Sequence, residues 1–505
     1  MTDSSEQSGE PSVAIVGGGL AGLAVAVALC ERGLRVALFE ARRRLGGRAG
    51  SFRDPRSGQQ LDRCQHVSMG CCTNLADFCR RTGIAGAFRR HRRLHFIGPR
   101  GTRHDLAAVG WLPAPLHLLP GLLRLGYLRL GDRLSILRAM ARLARLPQDR
   151  LEDAGQPATI GRWLRGCGQS EEATGGFWSV VLVSALSETL DRASLAAARK
   201  VVVDGFLASA RAYELEIPAV PLAEIYDHRL GDWLTAQRVE VHRGTRVRQI
   251  EGNGGGAEAL RLADGSRRAF DFFVAAVPWR KVRGLLAEPL GAAIPSLERI
   301  GEIHPAPITA VHFWFDRPIT PLPHAVLVGR LGQWVFNKGP RPLPDASARP
   351  AHGYQVVISA SHGLAGRRRE EVVAQVRGEL EAIWPEARRA TLLAWRMVTE
   401  PEAVFSVRPG LDRLRPAQQT PVANLMLAGD WTATGWPATM EGAVRSGHLA
   451  AEAILRALGR EQAILAPDPA MGCVARCLIR GGLKPRERSQ PGGGWREGGP
   501  AHFWA

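Results

Sequence analysis

The sequence predicts an α/β fold: a Rossmann-like nucleotide-binding domain on a parallel sheet, interleaved with an α+β domain that contains a helical subdomain. Three observations carry this expectation. The apolar run Val13-Ala14-Ile15-Val16 meets Gly17-Gly18-Gly19-Leu20-Ala21-Gly22 directly. A second apolar run, Leu34 to Phe39, ends in the acid Glu40. Two distant segments, Asp271 to Pro278 and Leu425 to Asp430, read as buried strands that return to the same sheet across long insertions.

The elements follow in order. Val13 to Val16 is a continuous apolar run, as a parallel strand covered on both faces requires. Gly17 makes the tight turn, Gly19 admits a pyrophosphate to the backbone, and Gly22 lets the next helix close on the strand. That helix, Leu20 to Arg32, turns the amides of Leu20 and Ala21 and its positive dipole end toward phosphate. Glu40, followed by Ala41, stands where a carboxylate takes ribose hydroxyls. Gly46-Gly47-Arg48 comes next, and a glycine pair with a guanidinium permits a bidentate pyrophosphate contact. This sequel selects FAD over NAD, with Gly47 and Arg48 as contacts; Arg42 to Arg44 read as a solvated basic turn.

The FAD-binding domain is therefore discontinuous, expected over 12–96, 218–279 and 422–460. Its middle piece holds a helix from Ala223 to Ala236, a strand Val239 to His242, the segment Thr245 to Ile250, and a hairpin loop Gly252 to Gly256. The insertions 97–217 and 280–421 form the substrate and membrane-facing domain. The first is mostly helical. The second shows strand alternation at Ile308 to Phe315, Ala325 to Val328, Trp334 to Asn337 and Tyr354 to Ser359. Beyond that, 467–505 is rich in Gly, Arg and Pro and reads as a disordered tail, with Cys473 and Cys477 on one short helix.

With 505 residues, 45% of them hydrophobic, the chain can bury a large core in more than one domain. Its formal charge of +18 is almost entirely arginine, since lysine is confined to Lys200, Lys281, Lys338 and Lys484. No nucleic-acid-binding pattern accompanies that charge, so nucleic acid is not an expected partner; an anionic membrane surface is. The polar, acidic opening residues carry no apolar leader, and no apolar run approaches the roughly 20 residues of a membrane span. The expected location is the cytoplasm, peripheral on the inner face of the cell membrane. The 8 cysteines are expected as free thiols. Cys64, Cys71, Cys72 and Cys79 fit no zinc spacing, and no metal is expected. No second glycine fingerprint is visible, so the flavin would exchange electrons with an external partner.

Gly17 to Gly22, Glu40, Gly46-Gly47-Arg48 and Leu427-Ala428-Gly429-Asp430 together resemble the flavin amine oxidase and phytoene desaturase superfamily. Two segments narrow the resemblance. Leu61 to Leu75 and Leu427 to Ala443 look like the hydroxysqualene dehydroxylases, the squalene-associated FAD-dependent desaturase-like proteins of hopanoid biosynthesis. The likeness covers roughly Ser12 to Leu458. It implies that hydroxysqualene, an allylic C30 alcohol, loses its hydroxyl and gains hydride from reduced flavin to give squalene. It also implies neighbouring enzymes that make and consume these polyprenyl lipids. At the positions matching the superfamily, the backbone at Val247 would hold adenine. Gly429 and Asp430 would meet the ribityl chain or a phosphate. Pro437, Thr439 and Met440 would open a helix beside the isoalloxazine, where amides stabilise negative charge.

The reaction asks for an acid near the hydroxyl and for aromatic faces near an allylic cation. His66 is the expected acid, with Asp62 orienting or replacing it; a structural role for His66 stays equally open. Trp431, Trp436 and Trp334 are candidate cation-facing rings. The Leu- and Arg-rich stretch Trp111 to Leu146, with Leu130, Leu134, Leu137 and Ala141 on one face, reads either as an interfacial membrane helix or as a packed helix. Other readings remain: a carotenoid or phytoene-type desaturase removing hydride; an amine oxidase, for which Lys338 would be the flavin-side lysine; and a non-enzymatic, flavin-stabilised scaffold for polyprenyl lipid.

Overall fold

A computed structural model of the chain describes residues 10–55, 60–148, 151, 158–343 and 350–479. The nucleotide-binding layer is a five-stranded sheet. Its spatial order is Glu240–Arg243, Arg35–Glu40, Ser12–Val16, Phe272–Ala275, Leu425–Leu427. Every neighbour in it is parallel, with Val13 beside Val36 on one side and Phe272 on the other. The three separated pieces of sequence thus meet in one sheet. Val13, Ala14 and Ile15 are fully buried, which is why the strand carries no polar alternation.

The helix Leu20–Cys30 is apolar all round because it is covered all round. One side lies on the sheet and the other against the C-terminal helix Met440–Ala457. Small residues make the second contact possible: a Cβ on Gly447 would stand 2.5 Å from the Ala21 carbonyl oxygen and 2.7 Å from Ala24 Cβ. The sharp turn before the helix needs Gly17, whose φ is +118° and whose Cβ would lie 2.3 Å from the Ala276 carbonyl oxygen.

The second layer is a seven-stranded sheet. It runs Leu392–Phe405, Pro305–Phe315, Pro350–Ile358, Trp334–Pro342, His324–Leu327, Arg93–Ile97, Arg103–Ala107. Four of these were expected as strands. Leu392–Phe405 was not, because Pro401 and its flanking glutamates interrupt the apolar pattern; the chain absorbs them in a register shift opposite Ala306 and Ile308 on an edge strand. The hairpin Arg93–Ile97 with Arg103–Ala107 was also missed, since its outer positions are charged. It pairs His95 with Asp105, 2.7 Å apart. Residues 93–97 therefore lie in this sheet rather than in the nucleotide layer.

Leu130–Arg145 buries Ile136, Ala139, Leu143 and Ala144. Leu195–Val202 passes into a π turn, Val203–Leu207. The stretch expected as one helix from Ala223 begins as another π turn, Glu224–Arg229, and becomes regular at Leu230–Ala236. Of the expected tail, 480–505 lies outside the described residues. Residues 467–479 are described and are tied down: Arg445 forms an ion pair with Asp468, and the short helix Cys473–Leu478 buries Ala475.

Candidate active site

One cavity of about 1020 Å³ runs between the layers, from the glycine turn to the helical subdomain. Of the residues expected at the nucleotide, Gly17, Gly19, Leu20, Ala21, Glu40, Ala41, Gly47, Arg48 and Val247 all line it. Glu40 is held by backbone, Oε2 accepting from Gly18 N at 2.8 Å and Oε1 from Arg42 N at 2.8 Å. A carboxylate has lone pairs to spare beyond those two bonds. The helix Leu20–Cys30 receives no side-chain cap at Gly19, and a Cβ there would meet nothing within 4 Å, so its positive end opens into the cavity. This donor set and open cradle fit the phosphates of a dinucleotide. Gly22 is not in the wall; it packs, its missing Cβ leaving room for the Gly17 carbonyl oxygen.

Farther along the wall stand Gly429, Asp430, Pro437, Thr439 and Met440. Asp430 is engaged by Arg48 in an ion pair, and Arg48 Nη1 also donates to the Ala403 carbonyl at 3.0 Å. The two residues expected to contact the cofactor separately are thus coupled to each other. Thr439 caps the C-terminal helix, its hydroxyl accepting from Gly442 N at 3.0 Å. Glu441, fully buried, accepts from Leu75 N at 2.7 Å and from Arg445 Nε at 2.6 Å, clamping the helix Thr73–Arg81 to this end of the cavity.

Of the two acid candidates, only His66 lines the cavity. Its Nδ1 lies 3.2 Å from the Cys64 carbonyl oxygen, and burial holds its pKa below the ordinary value of 6.5, so the ring is mainly neutral at pH 7. Asp62 sits behind the wall. Its Oδ1 accepts from Ser51 Oγ at 2.6 Å and from Leu222 N at 3.0 Å, and Lys338 Nζ stands 3.7 Å from Oδ2. Asp62 and Lys338 share a small separate pocket with His312 and Arg341. Lys338 Nζ donates to Gln65 Oε1 at 2.6 Å, and Gln65 Nε2 donates to the His66 carbonyl at 2.9 Å. The lysine that an amine-oxidase reading needs beside the cofactor therefore supports the His66 segment from behind. Burial pulls its ammonium below the usual range, with Asp62 opposing the shift.

The remaining walls are mostly apolar. Trp334 stacks on Phe336 with centroids 5.7 Å apart, and its Nε1 donates to Ser184 Oγ at 2.8 Å. Trp431 also borders the cavity but is fully buried, its Nε1 donating to the Val277 carbonyl at 2.9 Å. Trp436 lies between two cations, Lys200 Nζ at 4.6 Å and Arg445 Cζ at 4.8 Å from its ring centroid. Lys200 Nζ pairs with Asp204 at 2.7 Å, and both line the cavity. Sequence reasoning passed over this pair. The signal was a rare lysine four residues before an aspartate on a helix, a spacing that usually marks a solvated face.

Comparison with known proteins agrees with this geometry. The profile of the family described as flavin containing amine oxidoreductase matches residues 20–455. The chain is 27% identical over 448 residues to the hydroxysqualene dehydroxylase of Zymomonas mobilis, covering 87% of this chain and 98% of that protein. It is also 27% identical over 479 residues to a probable zeta-carotene desaturase of Synechococcus elongatus, covering 88% and 98%. Among solved structures, an oxidoreductase from Methanosarcina mazei superposes with a TM-score of 0.65 at 17% identity, over 88% of this chain and 100% of that one.

Proposed function

The chain belongs to the flavin containing amine oxidoreductase family and is an FAD-dependent oxidoreductase, and from that premise we propose that it converts hydroxysqualene to squalene by reductive dehydroxylation. One observation carries the reading. The cavity is continuous from the glycine turn to an apolar, aromatic far wall, and at about 1020 Å³ it sits at the upper end of small-molecule sites. It has room for the flavin end of a dinucleotide together with part of a long hydrocarbon.

Reduced flavin, when bound, supplies the hydride. The protein does the rest. Leu20, Ala21, Glu40, Arg48 and Val247 hold the nucleotide, and Asp430 with the Pro437–Met440 turn holds the ring end. Trp334 and Phe336 exclude water and present π faces to positive charge developing at the allylic carbon, whereas the Trp436 ring is already taken by Lys200 and Arg445. His66, neutral and cavity-facing, hydrogen-bonds near the leaving hydroxyl; Asp62 positions its segment through Lys338 and Gln65. With no second nucleotide fingerprint in the chain, reducing equivalents come from an external donor.

The substrate reaches the protein from a membrane surface. No helix of the described residues is long and apolar enough to span a bilayer. The helix Leu130–Arg145 nonetheless has two apolar faces. Its inner face is buried, and its outer face leaves Leu130 62% and Leu134 39% exposed. Trp111, 81% exposed, and Leu116 lie on the same segment, with exposed Arg124, Arg129, Arg138 and Arg142 around them. Apolar side chains ringed by arginine suit an anionic bilayer interface, beside the enzymes that make the alcohol and consume its product.

The test is anaerobic. Chemically reduced holoprotein receives hydroxysqualene in detergent, and flavin reoxidation and product mass are followed together. Squalene formed in step with reoxidation supports the reading. If the flavin stays reduced and the alcohol persists, the reading fails. Oxidation of phytoene-type polyenes by the oxidised protein would instead support the carotenoid-desaturase reading, which rests on the equally similar desaturase relative.

A further inference from the structure

We propose that the Lys200–Asp204 pair is the site that recognises the substrate hydroxyl and delivers its proton, Lys200 Nζ as donor and Asp204 as the residue that holds it. The inference rests on the dehydroxylation reading and deepens it.

The pair is unusual in its setting. Lys200 lies in the last turn of Leu195–Val202, and Asp204 is the second residue of the π turn Val203–Leu207. Such turns recur where a helix is deformed for function. The turn brings Val201, Asp204, Gly205 and Phe206 to the cavity together, and a Cβ on Gly205 would meet only Met69 Cε, at 3.6 Å. Open space therefore lies beside the carboxylate. The two side chains are only 16% and 22% exposed. An ion pair on a greasy wall carries a desolvation cost that packing alone would not offset. A ligand that is pure hydrocarbon makes no use of it; a hydroxyl does.

Trp436 fixes the place of the pair. Lys200 Nζ stands over its ring, its Nε1 has no hydrogen-bond partner among the described residues, and it immediately precedes the Pro437–Met440 turn. The ammonium thus stands beside the ring end of the cofactor site. The wall holds a second lysine, Lys281, but it is exposed to solvent on the helix Trp279–Leu285, which packs on the strand Val247–Asn253, away from Trp436; the nearer charged groups are committed. Arg48 is paired with Asp430, Glu441 with Arg445, and Arg63 with Glu400 at 2.9 Å. Arginine does not release a proton in proteins, so among these paired cations only the lysine can serve as an acid. His66 is mainly neutral at pH 7.

The step balances. An N–H bond of Lys200 breaks and an O–H bond forms on the substrate hydroxyl. The C–O bond then breaks, its electron pair leaving with oxygen as water. The carbon is reduced by hydride from reduced flavin, which is oxidised. The neutral amine stays against Asp204 until solvent reprotonates it.

Two measurements test this. In the first, oxidised holoprotein in detergent, which cannot turn over, is titrated with hydroxysqualene and with squalene while tryptophan fluorescence and the flavin spectrum are recorded. Wild type is expected to favour the alcohol by at least about tenfold, because a hydroxyl-free ligand leaves the charged pair unsatisfied. The neutral Lys200→Gln/Asp204→Asn double variant, with its flavin spectrum intact, is expected to lose that preference and keep its squalene affinity. An unchanged preference overturns the proposal. In the second, Lys200→Arg is expected to keep the preference but lose turnover by about 100-fold or more, since a guanidinium binds the hydroxyl without giving up a proton. Full turnover by Lys200→Arg overturns the proton-delivery role. Failure of the dehydroxylation reading looks different: wild type then neither converts the alcohol nor prefers it.

Discussion

Arg48 and Asp430, 382 positions apart in the chain, form an ion pair in the wall of the cavity. The pair joins the first and third pieces of the nucleotide domain, and the Asp430 side chain is only 4% exposed. Arg48→Ala removes the guanidinium and strands a buried carboxylate, which costs on the order of 3 kcal/mol. The expected result is protein that folds with a lowered melting temperature and purifies with little flavin, read from the ratio of flavin to protein absorbance. Full flavin content in Arg48→Ala would remove Arg48 from the cofactor site.

His66→Gln keeps hydrogen-bonding capacity but changes the ring that faces the cavity. If His66 assists the hydroxyl, turnover falls by about 10²-fold or more with flavin content unchanged. A fall in flavin content together with activity would show a structural role instead.

The contact between Leu20–Cys30 and Met440–Ala457 tolerates no added carbon at Gly447. Gly447→Ala must push the two helices apart, at a cost of about 1–3 kcal/mol. Thermal unfolding should report the loss, and flavin affinity should weaken with it, because Leu20 and Met440 belong to these same two helices.

Stability should fall as pH drops below neutrality. His448, fully buried on Met440–Ala457, has its pKa lowered to about 3 by burial, with Arg81, Arg32 and Arg445 adding to the effect. The unfolded chain binds a proton near pH 6.5 that the folded protein refuses until about pH 3. The folded state therefore loses stability as pH falls through that window, by up to ~5 kcal/mol. His448→Gln can still donate to Asn74 Oδ1, which lies 3.1 Å from His448 Nδ1. It should flatten the profile of melting temperature against pH; an unaltered slope would show that other groups dominate.

Leu130→Ser with Leu134→Ser should leave the melting temperature nearly unchanged, since both side chains are exposed. Binding to anionic vesicles should fall by about tenfold or more, given roughly 1.5–3 kcal/mol for burying each leucine. Undiminished vesicle binding would place the membrane face elsewhere.

Much of the nucleotide layer was legible in the sequence because its signals are local. Val13 to Val16, the turn at Gly17 and the acid at Glu40 each encode their own conformation within a few residues. The returning strands Phe272–Ala275 and Leu425–Leu427 announce themselves by apolarity alone. The strand Leu392–Phe405 did not, since its proline and glutamates are tolerable only at a bulged edge, which is a property of its neighbours. The candidate site divides in the same way. Residues of the glycine turn sit on the cavity because a backbone motif puts them there. Whether Asp62 or His66 faces that cavity was decided by the pairing of Gln60–Asp62 with Ser51–Arg53, which turns the carboxylate toward Ser51 and Leu222. Lys200 and Asp204 look like an ordinary helical pair in sequence. Only the π turn and the packing of Trp436 carry them to the cavity wall, because burial is conferred by tertiary contacts that no local spacing encodes.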